Sequence, residues 1–545
     1  MKKYSLLFLV VSILFFSCQQ TETKATKPKL VVGIVIDQMR YDYLTKYADR
    51  YGEDGFNRLL EDGYSLTNAH FNYMGTYTAV GHTSVYTGTT PNHHGIIGNN
   101  WYDKYLKKSI YCVTDTSYTS VGTDSKHGQK SPYRLFTTTI TDQLRLAQNM
   151  NGKTIGIAIK DRSSILPVGH SATAAYWMES SKESKVITSS YYMKDLPSWV
   201  KEFNDSDPIA KYVSKPWETL YDISTYTSSL NDNSIFEGKF RGEETPTFPH
   251  DLPKLMDANG GKGIVKSTPF GNSLTAELAK AAIKGESLGK TNYTDFLAVS
   301  FSSTDYVGHK YGPNAIETED TYLRLDKDLA DFFQFLDKEV GKGNYTLFLT
   351  ADHGAAQVPA YLQSLKIPAP YFSSRNFRSF LTEVSKSYFK SEKIVEAFSN
   401  NQIFLNKETL KQLNLNEEMV ADIFAKEALK FKGVYKTMTA KTLQTTNFTS
   451  GVFEKIQNAY NQKLSGDVVI LPDPASISHG RTGTTHGSAY SYDTHIPILF
   501  YGAGIQQGKS HKKYGVRDIA PTLATLLGVE FPNGTTGDVI SEVLK

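Results

Sequence analysis

Short apolar runs that stop at a polar residue recur along the chain. Residues 30–36 (LVVGIVI) run into Asp37, and 155–159 run into Lys160. Residues 296–301 lead through Ser302, Ser303 and Thr304 to Asp305, and 345–349 lead to Asp352 and His353. Stretches 468–471 and 498–501 are of the same kind. Runs this short, rich in Val, Ile and Phe and without apolar–polar alternation, predict strands covered on both faces. Between them the pattern turns helical. Tyr322, Leu325, Leu329, Phe332, Phe333 and Leu336 recur at three- and four-residue spacing in an otherwise charged segment, which predicts an amphipathic helix. Asp518 is placed as the N-cap of another, with Gly528 as its stop.

Strands alternating with helices predict an α/β fold, a mostly parallel central sheet with helices on both faces. In such sheets ligands bind beyond the carboxyl ends of the strands, which is where the first polar endings fall. Two long stretches fit the sheet poorly. Residues ~165–290 are rich in Tyr, Ser, Lys and Pro, and ~355–480 mix helical patches with loops. Both are expected to be insertions that cap the site, within a single catalytic domain over 29–545.

Charge narrows the partners. The 59 Lys and Arg against 56 Asp and Glu give a formal charge of +3 over 545 residues. No basic run or helix stripe accompanies it, so nucleic acid is not expected as a partner. With 40% hydrophobic and 21% charged residues the chain is globular, not disordered. Two cysteines, Cys18 and Cys112, exclude a disulfide framework and a cysteine-type zinc site. Lys2 and Lys3, an apolar stretch over 6–16 and Ser17-Cys18 have the form of an export signal over 1–18. Its apolar part is shorter than the ~20 residues that cross a bilayer. Residues 19–28 read as a polar tether. The mature protein is therefore expected in the periplasm, as a monomer. Cys18 either carries a lipid anchor, the one expected tie to a membrane, or leaves with the signal.

The strongest chemical signal is a set of metal-ligand residues. Asp305 and His309 follow one strand, Asp352 and His353 another, Asp37 a third, and His486 lies in a Gly/Thr-rich loop. Three carboxylates and three imidazoles suit two zinc ions with three protein ligands each, leaving open positions for water or substrate. A close pair of such ions can stabilise the attacking and leaving oxygens of a phosphoryl transfer. His82, His93, His94, His479 and His495 are left as structural or as neighbours that support the ligands.

The order Asp37, Thr78, Asn99, Asp305/His309, Asp352/His353, His486 resembles the alkaline phosphatase superfamily, over nearly the whole mature chain. Residues 78–88 (TAVGHTSVYTG) and 94–99 (HGIIGN) are similar to its nucleotide pyrophosphatase/phosphodiesterase branch, as are HIPILFYGAG and DIAPTLATLLG. In that branch a Thr takes the nucleophile position and an Asn follows His-Gly-Ile. Residues 160–163 (KDRS) depart from the diesterases and resemble the phosphate-irrepressible periplasmic alkaline phosphatases, which are monoesterases.

The resemblance implies that Thr78 is the nucleophile and becomes a phosphothreonine. Asp37, Asp352 and His353 would hold the zinc beside it, and Asp305, His309 and His486 the zinc at the leaving oxygen. Asn99, Lys160 and Arg162 would bind the phosphoryl oxygens of small phosphate monoesters. If the strand continues, Lys160 and Arg162 share a side and Asp161 faces away. The rival readings are diester hydrolysis, which would lack the Lys160/Arg162 pair, and a non-catalytic surface lipoprotein that binds through its aromatic-rich insertions.

Overall fold

The computed structural model describes residues 27–545, so the signal over 1–18, Cys18 and most of the tether over 19–28 lie outside the described residues. The apolar runs become the middle of a ten-stranded sheet. Its strands begin with β1 (Leu30–Ile36) and β2 (Tyr64–His70). A separate hairpin, β3 (Asn100–Asp103) with β4 (Lys108–Tyr111), precedes β5 (Ser120–Val121), β6 (Thr154–Ala158), β7 (Ala174–Met178) and β8 (Val186–Ser189). Strands β9 (Asp295–Phe301) and β10 (Tyr345–Thr350) complete the centre. The second long insertion holds β11 (Val395–Ser399), β12 (Gln402–Leu405), β13 (Val434–Thr439) and β14 (Val468–Pro472). The last two are β15 (His495–Gly502) and β16 (Gly508–Gly515).

The sheet order is β16-β2-β15-β10-β1-β9-β6-β7-β8-β5. Strands β10, β1, β9, β6 and β7 run parallel, and β15 and β8 pair antiparallel on either side of them. Every residue of β1, β6, β9 and β10 is buried, which is why their sequences show no alternation. Helices α1 (Thr78–Thr87), α2 (Asp161–Val168), α3 (Phe270–Gly285), α4 (Ser303–Tyr311), α5 (Ile316–Leu336) and α6 (Ile519–Leu527) flank the sheet. The predicted spacing forms α5, with Tyr322, Leu325, Leu329, Phe332, Phe333 and Leu336 all buried. Helix α6 ends at Gly528 in the left-handed conformation (φ 59°), but Asp518 makes no side-chain cap to it. Its carboxylate accepts instead from the Gly515 and Asp538 amides.

The two poorly fitting stretches resolve differently. Strands β7 and β8 join the main sheet and α3 packs beside it, so the first insertion is shorter than the ~165–290 expected. The second is an α+β unit with its own sheet, β11-β12-β14-β13, and its own core around Phe377, Leu381, Phe424 and Ile470. The run over 468–471 belongs to that smaller sheet.

Candidate active site

Four adjacent strands deliver their endings to one place. In order across the sheet, β10 leads to Asp352 and His353, β1 to Asp37, β9 to Asp305 and β6 to Lys160. Register keeps the ends level: Ile36 pairs with Phe301, Val35 with Thr350 and Ala158 with Ser300. After β9 the chain turns directly into α4, with Asp305 in its first turn and His309 one turn later on the same face. His309 Nε2 is 3.1 Å from Asp305 Oδ1. His486 arrives from the loop before β15, its Nε2 3.6 Å from Asp305 Oδ1, its ring stacked 3.4 Å from that of His353.

The three imidazoles share one arrangement. Each Nδ1 faces a backbone carbonyl: His309 that of Thr484 at 2.8 Å, His353 that of Gly354 at 2.9 Å, His486 that of Thr76 at 2.6 Å. A carbonyl can only accept, so each Nδ1 carries a proton and Nε2 is the nitrogen left facing the carboxylates, where it could ligate a cation. That is how metal-binding histidines are held. Asp37 Oδ1, Asp352 Oδ2 and His353 Nε2 are buried without a hydrogen-bond partner, a costly state unless something else binds them. Asp37, Asp352 and His353 each offer an atom within 4.8 Å of the others, and so do Asp305, His353 and His486. This donor set of carboxylate oxygen and imidazole nitrogen fits a divalent ion such as zinc. His353 lies between the two groups, and His309 approaches through Asp305.

Lys160 is buried with its ammonium between the halves of the cluster, 2.6 Å from Asp37 Oδ2 and 2.5 Å from Asp305 Oδ2. Burial opposes its charge, but Asp305 and Asp37 outweigh it and hold its pKa above the ordinary lysine value. The Asp37 pKa also rises, but against its charge: burial and the Asp352 carboxylate push it up. Alternation does not govern Lys160 and Arg162, because a helix takes over: Lys160 is the N-cap of α2 and Arg162 lies in its first turn. Asp161 therefore does not face away. It accepts from the Arg162 amide at 2.6 Å and from the Tyr111 hydroxyl. Arg162 Nη1 donates to Tyr111 at 3.1 Å, and its Nε has no partner. Lys160, Asp161 and Arg162 line one cavity.

Thr78 is buried at the first position of α1. Asn99 Oδ1 accepts from the Ala79 amide at 2.8 Å, so its NH₂ is turned away from the helix and free to donate. A Cβ at Gly81 would lie 2.1 Å from the Asp352 carbonyl oxygen; only glycine lets α1 rest on the chain that carries Asp352 and His353. Asp37, Asp305, His309, Asp352, His353 and His486 thus converge with Lys160, with Thr78 above Asp352. Arg162 and Asn99 stand at the margin.

Residues 31–495 match the model of the type I phosphodiesterase / nucleotide pyrophosphatase family. The chain belongs to that family. Within it, the chain is 46% identical to the alkaline phosphatase PafA of Elizabethkingia meningoseptica, covering 100% of this chain and 99% of that one. The crystal structure of PafA superposes with a TM-score of 0.92 over 95% of this chain and 99% of its own. The alkaline phosphatase PhoV of Synechococcus elongatus is 44% identical with both chains fully covered. A Myroides odoratus protein named a calcium-transporting ATPase is 47% identical over 96% of each chain. Among the described residues of this family member, no helix is long and apolar enough to cross a membrane.

One residue at the site, Gln38, is not marked by the sequence, and a second, His82, is marked only as structural or supporting. Gln38 is in the left-handed conformation (φ 62°), uncommon for a side chain with a Cβ. It donates from its amide to Asp352 Oδ1 at 3.1 Å and from Nε2 to Asp305 Oδ1 at 2.7 Å, tying together two groups that the family pattern keeps apart in sequence. Only its position after Asp37 could have pointed to it. His82, one turn after Thr78, is buried with Nδ1 2.8 Å from the Thr78 carbonyl and 3.3 Å from Asp352 Oδ2. Its Nε2 is 2.9 Å from Ser300 Oγ, so both nitrogens are engaged and His82 packs beside Asp352.

Proposed function

We propose that this protein is a periplasmic alkaline phosphatase that hydrolyses small phosphate monoesters through a phosphothreonine at Thr78, with two zinc ions as cofactors. The observation that carries the reading is the convergence of three inward-facing Nε2 atoms and three carboxylates from three level strand ends and the loop of His486. Asp37, Asp352 and His353 would hold one ion, and Asp305, His309 and His486 the other. Bound there, the two cations would supply the field that ionises the Thr78 hydroxyl and the departing oxygen.

The chain's own residues do the rest. Helix α1 presents Thr78 Oγ at its N-terminal turn, beside Asp352. His82 is held by the Thr78 carbonyl and Ser300 beside Asp352, and no free imidazole is left to act as a base there. The phosphoryl group meets the Asn99 NH₂, the third Lys160 N–H and the unpartnered Arg162 donors. Thr78 Oγ attacks phosphorus, the ester oxygen leaves, and water then releases phosphate from Thr78 in line with the first step.

The family name favours a second reading, diester hydrolysis. Two cations at the phosphoryl oxygens, the buried Lys160 and the half-buried Arg162, argue against it, since a monoester dianion carries more charge there than a diester. The deciding test is a paired assay of an aryl phosphate monoester and an aryl diester on purified, zinc-loaded protein. A preference for the diester would overturn the monoesterase reading. A protein that binds no metal and turns over neither substrate would favour the binding-lipoprotein reading.

A further inference from the structure

Beyond Lys160 and Arg162 the site continues into a cavity of about 480 Å³, within the ~300–1,000 Å³ usual for small-molecule sites. Its charge is lopsided. Lys130, Lys160, Arg162, Lys182 and Lys266 line it, against only two carboxylates, Asp161 and Glu179.

Those carboxylates do not neutralise the outer lysines. Asp161 is taken by Tyr111 and the Arg162 amide, with Lys130 3.5 Å away. Glu179 accepts from the hydroxyls of Thr123 at 2.6 Å and Ser181 at 2.9 Å, and faces His127. Lys266, contributed by the first insertion, is half-buried beside the Tyr306 ring at 5.4 Å, and Lys160 is 5.0 Å from the same ring. Among the described residues no carboxylate lies within salt-bridge distance of Lys266 or Lys182, and neither ammonium makes a hydrogen bond. Burial lowers the Lys266 pKa from the ordinary lysine value. Lys182 is exposed, whereas the half-buried Lys266 is an ammonium drawn out of water, which costs stability and which a bound oxyanion would offset.

The geometry points to a second oxyanion subsite in this cavity, held by Lys266 and Lys182 beyond the Lys160–Arg162 wall. It would take a second phosphoryl or carboxylate group carried by the same substrate molecule, so that sugar bisphosphates and phosphorylated acids are favoured over simple monoesters. Free inorganic phosphate has the same chemistry and is the other source of such a group. The inference rests on the monoester reading above and refines its substrate class.

The test uses zinc-loaded protein as wild type, Lys266→Ala, Lys182→Ala/Lys266→Ala and Lys266→Arg. The kcat/KM ratio of glucose 1,6-bisphosphate to glucose 6-phosphate is measured for each. Intrinsic reactivity is common to all variants, so only the change in ratio is read. The ratio is expected to fall about tenfold in the alanine variants, the worth of one charge-assisted contact, and to recover in Lys266→Arg, which excludes a mere folding defect. In parallel each protein is titrated with inorganic phosphate by calorimetry. An unchanged ratio together with a second phosphate equivalent that disappears in Lys266→Ala would assign the subsite to free phosphate. An unchanged ratio and unchanged phosphate stoichiometry would overturn the proposal. Failure of the wild type to hydrolyse phenyl phosphate would overturn the monoester reading alone, while the titration would still report on the cavity.

Discussion

Replacing Lys160 and Arg162 separates substrate recognition from support of the metal cluster. An ammonium has three N–H donors, and two of those of Lys160 are on Asp37 and Asp305, so one is left for a phosphoryl oxygen. The Arg162 guanidinium has five; Nη1 serves Tyr111 and Nε has no partner, which leaves it able to give a fork. Each charge-assisted bond is worth ~1.5–3 kcal/mol, or ~10- to 150-fold in rate if it forms in the transition state. Lys160→Ala should therefore lower monoester kcat/KM by at least about tenfold, Arg162→Ala by more, and the double mutant by less than the product, since both act on one group. Diester kcat/KM should fall less, because one charged oxygen is esterified. Lys160→Ala also leaves the buried Asp37 and Asp305 carboxylates without their shared counter-charge, so zinc content must be measured on every variant. A monoester-to-diester ratio that stays constant while both rates fall would refute the recognition role. Loss of zinc in step with activity would reduce Lys160 to a support for the ligands.

Thr78→Ala should remove on the order of 10³-fold or more of turnover while zinc content is unchanged, and mass spectrometry of trapped wild-type protein should find the phosphoryl group on Thr78 and not on Thr76 or Thr83. Elemental analysis after gel filtration should give two zinc ions per chain, and chelation should abolish activity that zinc restores; one ion or none would end the two-metal reading. Gly81→Ala forces α1 off the Asp352 backbone and should cost ~1–3 kcal/mol of stability and up to ~10²-fold in rate through displacement of Thr78, whereas wild-type stability and rate would show that the contact has slack.

The centre of the fold was legible because strands buried on both faces leave flat apolar runs. Strands β1, β6, β9 and β10 announce themselves, and so do the polar residues that end them. The peripheral strands are a different case. The sequence YSLTNAH of β2 and GKSHKKYG of β16 are mostly polar, and nothing local marks them as strands until β15 pairs with β2 and β2 in turn with β16. Strands β7 and β8 were hidden in a segment whose overall composition is that of a loop-rich insertion, though their own residues are all buried. The same divide runs through the site. Residues with metal-ligand chemistry stand out by type and order, whereas Gln38 and Gly81 matter only through contacts with Asp305 and Asp352, hundreds of positions away. The turn from β6 into α2 misled for a related reason: a helix start needs no apolar signal, so strand alternation was carried two residues too far.

Charge balance at the site makes a further demand. Counted with neutral imidazoles, the form that can bind a metal, the site is short of positive charge. Asp37, Asp305 and Asp352 then face only Lys160 and Arg162, one negative charge in excess. Burial and Asp352 favour a proton on Asp37, but even then anions and cations merely balance. At an effective dielectric of ~20, two unit charges ~4 Å apart interact by ~4 kcal/mol, so a phosphate dianion gains nothing net from this chain alone. Two divalent cations at the six ligands would turn the balance strongly positive. The metal-stripped protein should therefore bind inorganic phosphate at this site at least about 10³-fold more weakly than the zinc-loaded protein, a difference of ~4 kcal/mol. The measurement is calorimetric titration in the Lys266→Ala background, where the outer cavity has lost its free lysine and does not mask the result. Equal affinity with and without zinc would mean that Lys160 abandons Asp37 and Asp305 for the phosphate unaided, and that the cluster is not what draws the substrate in.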